Sequence, residues 1–443
     1  MYDKVVITKG IDWVMIFIYL ILVVIGLISI FSVEFKPGDD FFENIFAFQK
    51  NYSKQVIYFG VCAVFAILIL LTDSKFFTAT SNLLYALGIL LMIATFVVGK
   101  TVNGSKSWIP LGFLNLQPVE TAKIFTALAL AKYLSITDVD LKKPRTQLIA
   151  GAISFLPIVF SIMQNETGLA LVYFAFLLPM YREGLPPAYL IFAASLAVLL
   201  IVTLLLSTST LVIGITAIAL IATYLMRRKI KRDKGALIII ITVWITAVLF
   251  AGVAVPFLFK HVFQKYQADR IFSMVGRDNP FETLDSTVNI QNVKKKPVEN
   301  YNVKQSKIAI GSGGFSGKGY LKGTQTQGDF VPEQHTDFIF TSVGENFGFL
   351  GSSLVVLLYC ALLLRIVVIS ERQRSTFSRV YGYSVAGILF FHVFINIGMT
   401  IGLAPVIGIT LPLMSYGGSS LLTFTILIFI LIKLDSDRQM ILR

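Results

Sequence analysis

The chain has 443 residues, of which 56% are hydrophobic and only 14% are charged, and its mean hydropathy is +0.77. Soluble proteins carry roughly 25% charged residues, so this composition argues against a soluble globular fold and against a disordered chain. The formal net charge of +13 is explained by Lys- and Arg-rich loops of a membrane protein. Nucleic-acid binding is not predicted, because no basic stripe with interleaved aromatic residues occurs outside those loops.

Apolar runs of about 20 residues recur along the chain, which is the length needed to cross a hydrocarbon core of roughly 30 Å. The first run has no small-residue cleavage site after it and is interpreted as a retained signal anchor. The predicted fold class is an all-α polytopic integral membrane helix bundle with about 10–12 transmembrane helices and one large extracytoplasmic loop. The predicted spans lie near residues 13–33, 55–72, 81–99, 118–135, 147–163, 168–181, 187–206, 209–226, 236–258, 339–369, 381–403 and 409–432.

The connections between these spans differ in charge. With the amino terminus inside, the inner connections hold most of the Lys and Arg residues, for example in 227–234 and 372–379. The short outer connections near 164–167, 207–208 and 404–408 contain neither Lys nor Arg. The positive-inside rule therefore predicts that both termini are cytoplasmic.

One polar segment divides the chain into three parts. Residues 1–258 form the amino-terminal helices, residues 259–338 a large extracytoplasmic loop, and residues 339–443 the carboxy-terminal helices and tail. A connection this long without strong periodicity is usually functional or disordered. The half of the loop from Tyr301 onward is predicted to be ordered, and residues 281–300 to be a solvated, mobile insertion.

A first candidate site lies at the start of the fourth span. The run Gln117-Pro118-Val119-Glu120-Thr121-Ala122-Lys123 places Glu120 and Lys123 on one helix face, where they can pair. Charges inside a span are costly and usually mark a functional interior. The alternative is a structural ion pair near the membrane interface, with Trp108 as a membrane-interface tryptophan of the preceding loop.

Three further segments have a mixed character. The polar break at residues 164–168 fits a functional segment and a simple hairpin turn equally well. The glycines at 311–319 permit positive φ and close backbone approach to a ligand, although they lack the strand–helix setting of a nucleotide loop. The Gly- and Pro-rich residues 396–420 interrupt a span, which is tolerated only where the freed backbone is buried in protein or lines a cavity. Helix packing by small residues is the alternative.

Together these segments resemble the SEDS family of cell-wall proteins, the group of RodA and FtsW, over residues 12–435. The resemblance is carried by the run at 117–123 and by three others: Gln305-Ser306 with Ile308 to Gly314, Pro332-Glu333 with His335 to Phe340, and Pro412 to Ser419. The stretch at 323–327 favours the RodA branch. The family usually has ten spans, so the two extra ones are placed within 187–258.

The resemblance implies a peptidoglycan glycosyltransferase of the bacterial cytoplasmic membrane that polymerises lipid II, releases undecaprenyl pyrophosphate and acts in cell elongation. It also implies that this chain works with a class B penicillin-binding protein, its transpeptidase partner, and that it contacts membrane lipids. The family's key carboxylate follows a stretch that Tyr266-Gln267-Ala268-Asp269-Arg270 matches, so Asp278 is the predicted general base. Asn279 separates Asp278 from Pro280, which keeps Asp285 as the alternative.

The remaining candidates are predicted to bind substrate. Lys123, Arg270 and Lys318 are candidates for stabilising the charge of the departing diphosphate, with Glu120 orienting Lys123. Residues with oxygen ligands are abundant enough for a divalent cation such as Mg²⁺ or Mn²⁺, but no metal-ligand spacing is visible. Both cysteines lie in apolar runs, so no metal site with thiolate ligands is predicted. The full set is Trp108, Glu120, Lys123, Arg270, Gln305, Ser306, Lys318, His335, Asp337 and Ser415.

Two other functions fit parts of the pattern. A flippase for lipid-linked cell-wall precursors would also have many spans, intramembrane charges and broken helices, but it would not need the 259–338 loop for chemistry. A scaffold that only recruits the transpeptidase would tolerate the loss of the loop carboxylates.

Overall fold

Helices account for most of the described chain. The computed structural model describes residues 10–36, 50–102, 105–110, 112, 115–262, 268, 272 and 301–438. The chain forms two compact units, one of Met1–Pro186 with Asn302–Arg443 and one of Pro187–Tyr301. They do not follow the three-part division by membrane topology, which stays a prediction.

The helices, in chain order, are α1 (Trp13–Glu34), α2 (Asn51–Leu71), α3 (Ser74–Val98), α4 (Pro118–Leu134), α5 (Pro144–Met163), α6 (Thr167–Arg182, with a 3₁₀ turn at Tyr173–Phe176), α7 (Pro187–Leu205), α8 (Thr208–Leu225), α9 (Arg227–Arg232), α10 (Gly235–Leu249), α11 (Tyr301–Ser312), α12 (Thr324–Gln327), α13 (Ile339–Glu371), α14 (Thr376–Thr400) and α15 (Gly418–Ser436).

Among the described residues, eight helices are long and apolar enough to cross a membrane, and three shorter apolar helices lie at 167–182, 187–203 and 209–225. With α4, every predicted span coincides with a helix. The helix α4 is less apolar because it carries Glu120, Lys123 and Lys132, and most of its residues are buried inside the protein. The predicted all-α, multi-pass membrane fold is confirmed.

Two predicted boundaries are wrong. The third helix begins at Ser74, where the Asp73 carboxylate accepts a hydrogen bond from Lys75 N and so supplies an N-cap. The last helix begins at Gly418 instead of near residue 409. The reason is that residues 401–417 are irregular, with Gly408 at φ 69° and Leu413 at φ 68°, so their apolar composition does not form a helix.

A small antiparallel sheet fills the connection before α4. Strands β1 (Lys100–Val102), β2 (Ser105–Pro110) and β3 (Asn115–Leu116) pair in that order. Lys100 lies opposite Trp108, and Ile109 lies opposite Leu116. The sheet ends one residue before Gln117, so it leads directly into the first turn of α4.

The core of the first unit lies around α4, α14 and α15. The most apolar windows of α14 and α15 are 72% and 83% buried, well above those of the other candidate spans. The helix α4 packs against α3, α5, α14 and α15. Glu120 and Lys123 of α4 and His392 of α14 are therefore shielded from both water and lipid.

The second unit consists of α7 to α10. Beyond Leu249, α10 continues as π-helical turns at Phe250–Ala254 and Leu258–Val262, separated by the α-turn Val255–Phe257. Trp244 Nε1 donates to Thr216 Oγ1 at 3.1 Å, which ties α10 to α8.

Candidate functional site

The predicted pair Glu120–Lys123 exists and is buried. Lys123 Nζ lies 2.7 Å from Glu120 Oε2, and the two residues are 0% and 2% exposed. The pairing follows from their spacing of three residues on α4. At this distance the ammonium group neutralises the charge of the Glu120 carboxylate. Because the ammonium group is fully enclosed, it does not reach the protein surface in this conformation.

His392 on α14 completes this site. Its Nε2 lies 2.8 Å from Lys123 Nζ, and its Nδ1 lies 3.1 Å from Thr410 O. An ammonium group and a carbonyl oxygen have one role each in a hydrogen bond. Lys123 therefore donates to Nε2, and Nδ1–H donates to Thr410, which defines a neutral imidazole with its proton on Nδ1. The Phe424 ring of α15 covers the pair, with its centroid 5.6 Å from Lys123 Nζ and 4.9 Å from the imidazole centroid.

A second carboxyl group, that of Glu166, lies near Glu120. Ser107 Oγ and Ser105 Oγ lie 2.6 Å and 2.8 Å from Glu166 Oε1. Burial raises the pKa of Glu166; the two serine hydroxyls oppose this shift, and the charge of Glu120 adds to it. The polar break at 164–168 is thus a turn that also delivers a partly buried acid near the Glu120–Lys123 pair.

Two serine hydroxyl groups of β2 hold Glu166 in place. Ser105 has a single hydroxyl hydrogen, and Gln164 O, at 2.7 Å, can only accept. That hydrogen is therefore shared between two acceptors, Gln164 O and Glu166 Oε1 at 2.8 Å. Alternation along β2 places Ser105 and Ser107 on the same face, and both are buried, so the strand register brings both hydroxyls to Glu166.

Lys318 is engaged by a carboxylate that the sequence did not single out. Glu345 on α13 is 0% exposed, and its Oε1 lies 2.8 Å from Lys318 Nζ. The backbone N–H groups of Gln325 and Thr326 also donate to this carboxylate, at 2.9 and 2.8 Å. The stretch at 323–327 therefore folds around Glu345, and Gly323 leaves room for it, since a Cβ there would lie 2.7 Å from Glu345 Oε2.

The glycines at 313–319 pack against a kink in α13. Gly348 has φ 64° and ψ −157° inside that helix, which frees backbone groups on both sides. Phe349 N donates to Gly314 O at 2.9 Å, and Lys318 N donates to Glu345 O at 3.0 Å. The backbone at these glycines thus lies close to a helix in this structure, and close approach to a ligand stays a prediction.

Residues 401–417 are held by hydrogen bonds from a neighbouring helix and from a serine within the segment. Asn396 Nδ2 donates to Asp337 O and Ile409 O, at 2.8 and 2.6 Å. Ser415 Oγ donates to Thr336 O at 2.6 Å and accepts from Leu411 N at 2.8 Å. These bonds satisfy irregular backbone that would otherwise be costly inside a membrane protein.

The other predicted binding residues differ in exposure. Ser306 is buried, and its Oγ donates to Thr400 O at 2.8 Å and lies 2.6 Å from Thr341 Oγ1, so its hydroxyl joins α11 to α14. His335 lies against Tyr416, with ring centroids 5.7 Å apart. Partly exposed positions are Trp108, Gln305, His335 and Asp337.

The predicted base and one predicted cation lie outside the described residues. Asp278, its alternative Asp285 and Arg270 all fall between residues 262 and 301, where only residues 268 and 272 are described. Within the described part of the chain, no group of three or more His, Cys, Asp or Glu side chains could hold a metal ion.

Sequence reasoning missed His392, Glu345 and the role of Glu166. A usable signal existed for the first two, because an ionisable residue within a predicted span is a candidate functional residue. No signal in the sequence linked His392 to Lys123, which lies 269 positions away.

The fold and the site together define a class of protein. It is a polytopic helical protein with a buried polar site between its central helices, and the charges in this site are partly neutralised. A family model described as a cell cycle protein and named for FtsW, RodA and SpoVE matches residues 12–235 and 207–440. The chain therefore belongs to this family, which confirms the resemblance seen in its sequence.

Two curated relatives match most of the chain. The peptidoglycan glycosyltransferase RodA of Treponema pallidum is 30% identical over 96% of this chain and 97% of the relative. The peptidoglycan glycosyltransferase MrdB of Escherichia coli K12 is 30% identical over 81% of this chain and 78% of the relative.

Solved structures share the fold. A chain of a peptidoglycan synthase complex superposes with a TM-score of 0.64 at 21% identity, covering 97% of this chain and 98% of its own. The crystal structure of the rod shape determining protein RodA of Thermus thermophilus gives a TM-score of 0.60 at 22% identity, with the same coverage. These likenesses support the helical membrane architecture.

Proposed function

We propose that this protein is a peptidoglycan glycosyltransferase that polymerises lipid II in cell elongation and releases undecaprenyl pyrophosphate. The observation that carries the proposal is the 30% identity to a glycosyltransferase of that name over 96% of this chain. An integral membrane fold suits substrates with long prenyl tails, because the tail can stay in the bilayer while the headgroup enters the protein.

The site is proposed to lie on the outer side of the bacterial cytoplasmic membrane, with both termini in the cytoplasm. The charge asymmetry of the connections supports this orientation. Asp12, Arg365, Arg372 and Asp435 meet at one end of the first unit, which would be the inner end. A carboxy-terminal green fluorescent protein fusion should then fluoresce, and a dark but full-length fusion would contradict the orientation.

The proposed reaction forms a bond between the 4-hydroxyl oxygen of one sugar and the anomeric carbon of the next. The bond from that carbon to the diphosphate breaks, and the diphosphate leaves with the electron pair. Asp278 is the proposed general base that takes the hydroxyl proton, with Asp285 as the alternative. Arg270 is proposed to stabilise the negative charge of the departing diphosphate.

The described residues divide into two proposed roles. Lys123, His392 and Glu120 form a buried support at the start of α4 that sets the position and charge of the Glu120 carboxylate. Lys318 holds the loop through its ion pair with Glu345. It would stabilise the departing diphosphate, as the sequence predicts, only in a conformation in which this ion pair is open. Ser306 and Ser415 hold backbone, whereas the partly exposed residues are the proposed lipid II contacts: Trp108, Gln305, His335 and Asp337.

The direct test uses the purified full-length protein with labelled lipid II and follows glycan-chain length on gels. Wild type should make polymer, and Asp278→Ala should make none. Polymer from Asp278→Ala together with loss in Asp285→Ala would move the base to Asp285. Absence of polymer from wild type, with transport of lipid II across vesicle membranes, would replace the proposed function by that of a flippase.

A class B penicillin-binding protein is the proposed partner. The fold shared with a chain of a peptidoglycan synthase complex is compatible with such an assembly. Affinity purification of the tagged chain from its native membrane should recover a transpeptidase with one transmembrane segment. Recovery of the chain without any penicillin-binding protein, in a detergent that preserves membrane complexes, would contradict the partnership.

A further inference from the structure

A dense group of cations lies between two apolar helices of the second unit. The cationic segment, residues 227–234, reads Arg-Arg-Lys-Ile-Lys-Arg-Asp-Lys and includes α9. The segment contains six cations and one carboxylate, so its eight residues carry a net charge of +5 out of the chain's +13. All six cationic side chains are exposed.

None of these six cations has a carboxylate partner in the described part of the chain. The Asp233 carboxylate instead accepts a hydrogen bond from Gly235 N at 2.8 Å. Two arginines of the first unit are paired instead, since Arg365 lies 2.6 Å from Asp12 and Arg379 lies 2.7 Å from Glu183. The positive-inside rule accounts for cations in both places, and the cationic segment is distinguished by holding six cations and one carboxylate within eight residues.

The location of the cationic segment suits the headgroup layer of a membrane. The apolar helix at 209–225 ends just before it, and the apolar helix at 235–260 begins just after it. Tyr224 is 63% exposed, as expected for an aromatic residue at a membrane–water interface. The Arg227 guanidinium lies 4.6 Å from the Tyr224 ring centroid, a stacking that leaves its N–H donors available to oxygen ligands.

We propose that the cationic segment binds anionic phospholipid headgroups. Clusters of four to eight Lys or Arg residues next to a membrane helix attract anionic lipids, and the attraction falls off within a Debye length. Guanidinium and ammonium groups both donate hydrogen bonds to phosphate oxygens. A nucleic acid is the less suitable ligand, because the segment itself contains no aromatic residue on which bases could stack.

The test measures lipid preference directly. The purified full-length protein in neutral detergent is mixed with equal amounts of dioleoyl-phosphatidylglycerol and dioleoyl-phosphatidylcholine, and retained lipids are counted by native mass spectrometry. Wild type should retain the anionic lipid preferentially. The variant Arg227→Gln/Arg228→Gln/Lys229→Gln/Lys231→Gln should lose on the order of tenfold or more of that preference. Circular dichroism and gel filtration verify that the variant is folded.

Two further variants define the cause. Lys142→Gln/Lys143→Gln/Arg145→Gln removes three exposed cations from a connection that also holds Asp138 and Asp140, and it should keep most of the preference. Arg227→Lys/Arg228→Lys/Arg232→Lys keeps the charge and should behave like wild type. Equal preference in wild type and the four-cation variant, or no preference in wild type, would overturn the proposal independently of any result on glycan synthesis.

Discussion

At the scale of single residues, Lys123 owes its position to two partners on different helices. Two of its three N–H donors are used by Glu120 and by His392, and the third lies near the face of Phe424. A buried ammonium that loses an acceptor pays the cost of an unsatisfied donor. His392 should therefore matter for activity by fixing the Glu120–Lys123 pair, without contacting substrate.

The prediction for His392 separates positioning from simple packing. In His392→Leu the acceptor for Lys123 is lost, and kcat for glycan synthesis should fall on the order of 10- to 100-fold with little change in KM. His392→Gln keeps an oxygen acceptor and should recover most of kcat. Equal losses in both variants, tracking only the loss of folded protein in a thermal melt, would assign His392 a structural role.

Glu166 gives a prediction about pH. Its pKa is raised above the ordinary 4.5, primarily by burial. A carboxyl group with a raised folded-state pKa contributes stability below pH 4.5 that is lost as the pH rises through the folded-state value. Glu166→Gln copies the neutral form, so the Tm of wild type relative to this variant should decline as the pH increases from 4. A Tm difference that does not change with pH would show that Glu166 is not protonated in the folded protein.

At the scale of secondary-structure elements, the kink in α13 joins that helix to the glycine-containing segment at 313–319. Gly348 occupies a backbone region that is essentially restricted to glycine, and a Cβ there would lie 2.3 Å from Gly317 N. Gly348→Ala should therefore lower the free energy of unfolding by about 1–3 kcal/mol. The matched control is Gly60→Ala on α2, where a Cβ meets no atom within 4 Å; it should be neutral or stabilising. Thermal melts in detergent compare the two, and equal Tm values would contradict the role of the kink.

The sequence predicted helices better than it predicted irregular segments. Each of the twelve runs located by hydropathy coincides with a helix, because a bilayer selects apolar runs of a fixed length. Hydropathy misplaced the start of α15, since residues 401–417 are as apolar as a helix but are held by groups outside the segment such as Asn396 and Gln55. Contacts of this kind, like that between Lys123 and His392, depend on three-dimensional packing that one sequence does not encode locally.

At the scale of the whole molecule, one ion network joins the beginning, middle and end of the chain. Asp12 caps α1 by accepting from Met15 N at 3.1 Å, and it also binds Arg365 of α13 and Arg372 just beyond it. Arg372 in turn pairs with Asp435 of α15. This network links α1 with the central helices at the end of the first unit proposed to face the cytoplasm.

The charge of Asp12 should stabilise the protein in a pH-dependent way. Burial raises the pKa of Asp12, but the bonds to Arg365, Met15 N and Arg372 outweigh it, so the pKa is lowered from 3.8. A carboxylate with a lowered pKa contributes stability above its unfolded-state value, and that stability is lost as the pH falls through the folded-state value. Asp12→Asn keeps a capping oxygen and removes only the charge, so the variant isolates the ion pairs from the cap.

The expected cost of Asp12→Asn at pH 7 is about 1.5–3 kcal/mol, the range for hydrogen bonds to charged groups. The Tm difference from wild type should be constant above pH 5 and shrink below pH 4, opposite in direction to the trend for Glu166. Asp73→Asn is the control, since Asp73 caps α3 through Lys75 N but has no arginine partner in the described residues; it should change Tm less. If Asp12→Asn and Asp73→Asn lower Tm equally, the cap alone matters, and the long-range ion pairs do not hold the ends of the chain together.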